Sequence, residues 1–176
     1  MDEANIPRIW LMSDERMGDA LFDVLRRLPL GTGVVFRHHS LHDSEREALG
    51  QRVADTCRAR RLVLAVSRDV SLARKLGAAM VHNPSGDQGH LAHSRAVHSL
   101  GEARAAAADG AGLIFVSPLF ATRSHEDKAP LDRQTVRSIL AASECPAIAL
   151  GGMNAQRFSE VERLGFYGWA GIDAWL

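Results

Sequence analysis

Three short stretches of the chain hold residue types suited to binding phosphate. In "LGGMNAQRF", residues 150–158, Gly151 and Gly152 follow an apolar run and precede a helix pattern with Asn154 as its N-cap. Glycine lets the backbone approach an anion closely, and the free N–H groups at a helix start are donors for it. The same pair also suits a tight strand-to-helix turn that needs glycine only for its backbone angles. In "VVFRHHS", residues 34–40, strand alternation puts Val35, Arg37 and His39 on one face. With Val35 inside the fold, Arg37 and His39 point toward its rim. Arginine presents a two-pronged donor to phosphate, and histidine adds a proton or a further donor. A solvated loop is the plainer reading of "RHHS". The third stretch, "FVSPLFATRSHEDKAP" at 115–130, opens as a buried strand and empties into Ser117, Thr122, Arg123, Ser124 and His125.

The elements that must position these residues show in the alternation of the chain. Short apolar runs lie at 9–12, 33–36, 62–66, 79–82, within 90–99, and at 112–117, 146–150 and 166–172. Helical patterns at 13–28, 42–61, 69–77, 99–110, 132–143 and 154–165 separate most of them. Ser44 and Glu47 stand in capping-box spacing in the second helix. The run LVLAV is hydrophobic throughout, as a parallel strand buried on both faces is. Eight strands alternating with helices predict α/β architecture, a compact (β/α)8 TIM barrel forming one domain over residues 1–176. Such barrels usually take about 250 residues, so this one is short, and residues 84–90 leave no room for a normal fourth helix. An open doubly wound sheet is the alternative, weakened because no G-x-G-x-x-G follows the first run.

In a barrel the chemistry sits at the carboxyl ends of the strands. Those ends carry Ser13, Asp14 and Glu15; Arg37, His38 and His39; Ser67, Arg68 and Asp69; His82 with Asp87 further on; and His98 and Ser99. The sixth leads to Ser117, Thr122, Ser124 and His125, the seventh ends at Gly151 and Gly152, and the eighth holds Gly171. Loops seven and eight are the usual barrel phosphate site. Other chemistries find less support. His90 and His93 make H-x-x-H, and His38, His39 and His42 cluster, but neither follows a zinc pattern. No G-x-S-x-G elbow supports a hydrolase triad. Trp10, Trp169 and Trp175 read as packing.

Composition bounds the function. The 176 residues are 46% hydrophobic and 24% charged, as in an ordinary globular domain. Basic and acidic side chains balance at 21 each, which offers no electrostatic footprint for nucleic acid. Cys57 and Cys145 form no C-x-x-C and read as reduced thiols. No apolar stretch is long enough to span a membrane, and the polar start lacks a signal-peptide pattern. A cytoplasmic protein is expected; self-association into a homo-oligomer stays open.

The chain resembles the thiamine-phosphate synthase / TenI family of (β/α)8 barrels. "LMSDE" at 11–15 is similar to that family's first strand end. "HSLGEARAAAADGAGLIFVSPLFATRSH" at 98–125 resembles its most recognisable segment, and "PAIALGGMNAQRFSEVERLGFYGWAGI" at 146–172 looks like its phosphate-binding end. The resemblance implies an enzyme that joins hydroxymethylpyrimidine diphosphate to thiazole phosphate with release of diphosphate, aided by Mg²⁺ and basic side chains. It implies Arg37, His39, Ser99, Thr122 and His125 as catalytic residues. It implies Gly151, Gly152, Gly171, Arg68 and Ser124 as phosphate contacts, and Asp87 as a metal ligand. Several positions depart from the family pattern. Gln-Leu-Arg-x-Lys on strand two reads Val35-Phe36-Arg37-His38-His39. The Asn-Asp pair after strand three, whose Asp is a Mg²⁺ ligand, reads Ser67-Arg68. After strand four Ser85 replaces a Gln, and after strand six a Lys becomes His125. Two further readings stay open beside the synthase. One is a TenI-like thiazole-phosphate tautomerase using His39, His82 or His125. The other is a non-catalytic regulatory barrel that binds thiazole phosphate.

Overall fold

In the computed structural model, which describes residues 6–121 and 129–176, eight parallel strands close into a barrel in sequence order. They are β1 (Ile9–Met12), β2 (Gly33–Phe36), β3 (Val63–Ser67), β4 (Met80–His82), β5 (His93–Val97), β6 (Leu113–Val116), β7 (Ala147–Ala149) and β8 (Gly168–Gly171). β8 returns to β1, pairing Leu11 with Gly171. Closure leaves no sheet edge and the helices cover most of the outside, so the strands other than β5 bury nearly all of both faces. That is why the runs are apolar at consecutive positions rather than at alternate ones.

The two faces still differ. Trp10, Met12, Val35, Ala65, Met80, Leu113, Phe115, Ile148 and Ala170 fill the barrel interior. Trp10 meets Phe115 edge-on, with ring centroids 5.5 Å apart, and its indole N–H donates to the carbonyl of Pro7 at 2.7 Å. Its neighbour in register is Gly33, where a Cβ would lie 2.2 Å from the indole ring. A side chain there and Trp10 exclude each other. The outward residues, among them Val34, Val66, Ile114 and Ala149, pack against the helices. Trp169 and Trp175 stack on that outer side, 5.4 Å apart.

Six α-helices surround the barrel: α1 (Ala20–Arg27), α2 (Asp43–Ala59), α3 (Val70–Lys75), α4 (Leu100–Ala108), α5 (Arg133–Ala142) and α6 (Ala155–Val161). Two local expectations change. The helix pattern over 13–28 is broken, because Asp14 caps a single 3₁₀ turn at Glu15–Met17 and Gly18 leaves it at φ +45°. α2 begins before Ser44, and Glu45, not Glu47, reaches back to the N–H of its cap residue His42 at 3.4 Å. Glu47 instead pairs with Lys75. Between β4 and β5 there is no helix, as the short spacing predicts. The outer face of β5 is polar there: His93 and Arg95 both hold Asp109, at 3.1 and 2.6 Å. No helix among the described residues is long and apolar enough to cross a membrane.

Candidate active site

Above the last hydrophobic layer of the interior, the strand alternation continues into polar residues. Ala65 is followed on the same face by Ser67, Met80 by His82, and Phe115 by Ser117. Histidines and serines pair around this mouth. His39 Nε2 meets Ser67 Oγ at 3.2 Å and His82 Nδ1 meets Ser94 Oγ at 3.0 Å. His98 Nδ1 lies 2.7 Å from the carbonyl oxygen of Ser117 and 3.3 Å from its hydroxyl. Behind β2, His38 Nδ1 is 3.1 Å from Ser13 Oγ while its ring stacks on Phe36.

The environment lowers the basicity of several of these imidazoles. Burial pushes His82 down to about 3, with the charges of Arg37 and Arg95 adding to the effect. Its ring stands edge-on to Phe115, 5.0 Å away. Burial also lowers His39, helped by Arg46 and Arg68, and lowers His38 against the opposing pull of Glu15 and Asp14. Uncharged imidazoles accept and donate hydrogen bonds at neutral pH, but they bring no fixed positive charge to the free site.

Arginines supply that charge. Arg37 is half-buried and clamped from two sides: its Nε donates to the carbonyl of Ser13 and its Nη2 to Asp14, both at 2.7 Å. Burial alone would raise the Asp14 carboxyl, but hydrogen bonds from Arg16 and the charge of Arg37 hold it below its ordinary value. Arg46, buried on α2, donates to the carbonyls of Arg37 (3.2 Å) and Ser67 (2.9 Å) and to the carboxylate of Asp69 (3.2 Å). One guanidinium thus ties the ends of β2 and β3 together. Strand-end reasoning misses Arg46 because it belongs to a helix. A signal exists nonetheless: it occupies the core-facing stripe of α2 with Gly50, Val53, Ala54 and Cys57.

Arg68 follows β3 in left-handed backbone, φ +67°. Its N–H donates to the carbonyl of His82 at 2.7 Å, and its carbonyl accepts from Ser85 N–H (3.0 Å) and Oγ (3.1 Å). Its side chain is exposed. Asp87 is exposed too, and its carboxylate accepts from the N–H of Gly89 at 2.7 Å. Among the described residues no three His, Cys, Asp or Glu side chains gather as a metal site.

Gly151 and Gly152 both take positive φ, +91° and +62°. They are also crowded: a Cβ on Gly151 would come within 2.7 Å of Pro118, and one on Gly152 within 2.6 Å of the carbonyl of Ala121. The loop after β6 therefore lies directly on this turn, joined by hydrogen bonds from Leu119 N–H to Leu150 and from Phe120 N–H to Gly151. Gly171 is boxed in by Met153, Trp169 and Ala174, each of which would stand 3.2 Å from a Cβ at that position. Ser99 is an exposed cap of α4, its hydroxyl accepting the N–H of Glu102 at 3.2 Å. Thr122, Ser124 and His125 lie outside the described residues. The structure thus brings Arg37, His39 and Arg68 around the ends of β2 and β3, and sets the glycine turn under the loop that leads toward Thr122.

Known proteins resemble this chain over nearly its whole length. The sequence profile of the family described as thiamine monophosphate synthase matches residues 11–175. A relative from Aquifex aeolicus is 27% identical over 183 residues, covering 97% of this chain and 98% of that protein. The thiamine-phosphate synthase of Chloroflexus aurantiacus is 27% identical over 181 residues, 95% of this chain and 84% of its own. Among solved structures, the thiamine phosphate pyrophosphorylase from Pyrococcus furiosus superposes with a TM-score of 0.81 at 22% identity, covering 97% of this chain and 87% of that one. That likeness speaks for the barrel. The profile match, running from the end of β1 to beyond β8, assigns the chain: it belongs to the thiamine monophosphate synthase family.

Proposed function

We propose that this protein joins hydroxymethylpyrimidine diphosphate to thiazole phosphate, forming thiamine phosphate and releasing diphosphate. The observation that carries the reading is the family match over residues 11–175, which spans the strand ends from β1 to β8. In this reaction the bond between the pyrimidine methylene carbon and the diphosphate oxygen breaks, and its electron pair leaves with diphosphate. The lone pair of the thiazole nitrogen makes the new C–N bond. No proton has to be removed in that step. Charge grows on the leaving group, so the protein's main contribution is electrostatic.

The residues divide by position. The thiazole phosphate is assigned to the turn at Gly151 and Gly152 and to the end of β8 at Gly171. Among the described residues the N–H groups of Gly151, Gly152 and Met153 make no backbone hydrogen bond, so they are free to donate. The diphosphate is assigned to Arg37, His39 and Arg68, with Ser99 and, outside the described residues, Thr122, Ser124 and His125 as its further contacts. An anion next to His39 favours its protonated form, opposing the desolvation that lowers its pKa in the free protein. Arg37 is preorganised by Ser13 and Asp14, so it does not have to be ordered by the substrate.

The family implies Mg²⁺, which in such sites screens the diphosphate oxygens and is held by carboxylates together with the substrate. The described residues fit this poorly. Asp87 accepts from Gly89 N–H, no three candidate ligands gather among the described residues, and the strand-three position carries the cation Arg68.

The tautomerase reading needs a histidine basic enough to take a carbon-bound or ring proton near neutral pH. His82, pushed to about 3, is too weak a base for that, and burial also lowers His39. The deciding experiment supplies purified protein with both substrates and follows thiamine phosphate and diphosphate together. Equal formation of the two supports the synthase. Conversion of thiazole phosphate alone, with no pyrimidine consumed, supports the tautomerase, and binding without turnover supports the regulatory barrel.

A further inference from the structure

We propose that Arg68 acts as a built-in cation for the diphosphate, so that this protein grips that anion without a divalent metal. The proposal rests on the synthase reading for the identity of the leaving group, while the grip itself can be tested apart from turnover.

Four observations carry it. The first is position. Arg68 directly follows Ser67, whose hydroxyl meets His39 inside the mouth, and its own N–H is bound to the carbonyl of His82. The second is the backbone. A left-handed arginine is uncommon and persists only where its surroundings hold it. Here His82 holds the N–H and Ser85 holds the carbonyl with two donors. Three consecutive strand ends share the feature: His38 after β2, Arg68 after β3 and Asn83 after β4 all have positive φ.

The third observation is charge. Arg37 is committed to Asp14, and Arg46 to Asp69 and two carbonyls. Arg68 forms no ion pair among the described residues, and its guanidinium is exposed. Its charge nevertheless reaches the mouth, since it helps to lower both His39 and His82. It is therefore the arginine of this rim whose charge an arriving anion can use in full. A guanidinium also offers paired N–H donors that match two phosphate oxygens.

The fourth is the absence of a competing metal cage. A divalent ion held by the protein takes several oxygen ligands, yet among the described residues no three His, Cys, Asp or Glu side chains gather, and Asp87 has an oxygen on Gly89 N–H. Ser85, two residues before Asp87, is bound to the backbone carbonyl of Arg68, so the loop that carries Asp87 is tied to the end of β3. A fixed positive charge there repels a second cation and leaves the anion as the natural occupant.

The test is calorimetric titration of the full chain with inorganic diphosphate, once in EDTA and once in excess Mg²⁺. Three variants accompany wild type. Arg68→Gly removes the charge and suits the left-handed backbone. Arg68→Lys keeps a charge. Arg68→Asp replaces it with a carboxylate. Wild type is expected to bind in EDTA, Arg68→Gly to bind about tenfold or more weakly, and Arg68→Lys to recover part of the loss. Arg68→Asp is expected to bind only after Mg²⁺ is added. Binding by wild type that requires Mg²⁺ overturns the proposal, as does Arg68→Gly binding in EDTA as tightly as wild type. If wild type binds diphosphate in EDTA, loses it in Arg68→Gly, yet never couples the two substrates, the grip stands and the synthase reading falls.

Discussion

Arg46 donates to the carbonyl of Arg37 across 3.2 Å, linking a helix residue to the strand end that carries the site's clamped arginine. The same guanidinium holds the carbonyl of Ser67 and the carboxylate of Asp69, and lies over the ring of Phe36 at 5.7 Å. Arg46 is thus a positioning residue for both strand ends. Arg46→Met leaves two buried carbonyls without this donor. We expect a loss of about 2 kcal/mol of stability, read from the urea midpoint. Diphosphate affinity should fall with it. Arg46→Lys should restore little, because one ammonium cannot reproduce the planar fork that serves three acceptors.

Arg37 itself should matter for binding and turnover rather than for folding. Its charge reaches His82 at the mouth, while Asp14 keeps a second partner in Arg16 at 2.7 Å when Arg37 is removed. Arg37→Ala should lower kcat/KM by roughly 100-fold, about 2.7 kcal/mol of transition-state stabilisation, with a urea midpoint close to wild type. A midpoint that collapses along with activity would make Arg37 a structural residue.

Gly152→Val tests the phosphate turn. The backbone there has φ +62°, and a Cβ meets the Ala121 carbonyl at 2.6 Å. The substitution should displace the loop after β6 and cost about 1–3 kcal/mol of stability. It should also abolish measurable binding of thiazole phosphate. Unchanged thiazole-phosphate affinity in this variant would remove the turn from the site.

The buried histidine predicts an acid limb in stability. His82 sits near 3 in the folded protein and at its ordinary 6.5 when unfolded. Between those values the unfolded chain carries a proton that the folded chain does not. Stability therefore is full above pH 6.5 and falls as pH drops below it, by up to about 1.4 kcal/mol per pH unit from this one group. Burial lowers His39 and His38 as well, which adds in the same direction. His82→Gln should flatten the decline of the urea midpoint between pH 6.5 and about 4. An unchanged slope would show that His82 is protonated in the folded state.

Much of this protein is legible in its sequence for a plain reason: strand periodicity and glycine placement are local. The alternation of apolar runs and helices yields eight strands, and the period of two puts Arg37 on the same face as Val35. The glycine pair at 151–152 is visible because positive φ and crowding both demand glycine. Ser44 and Glu47 mislead, because a capping signature says which residues can cap and not where the preceding strand lets the helix start. What only the tertiary structure decided is who partners whom. The clamp of Asp14 on Arg37 spans 23 positions, the Arg46 tie to Ser67 spans 21, and the neutrality of His82 comes from Phe115 and the barrel wall around it. Hydrogen bonds and desolvation act over a few ångströms of space, and only barrel closure and helix docking bring residues so far apart in sequence within that range.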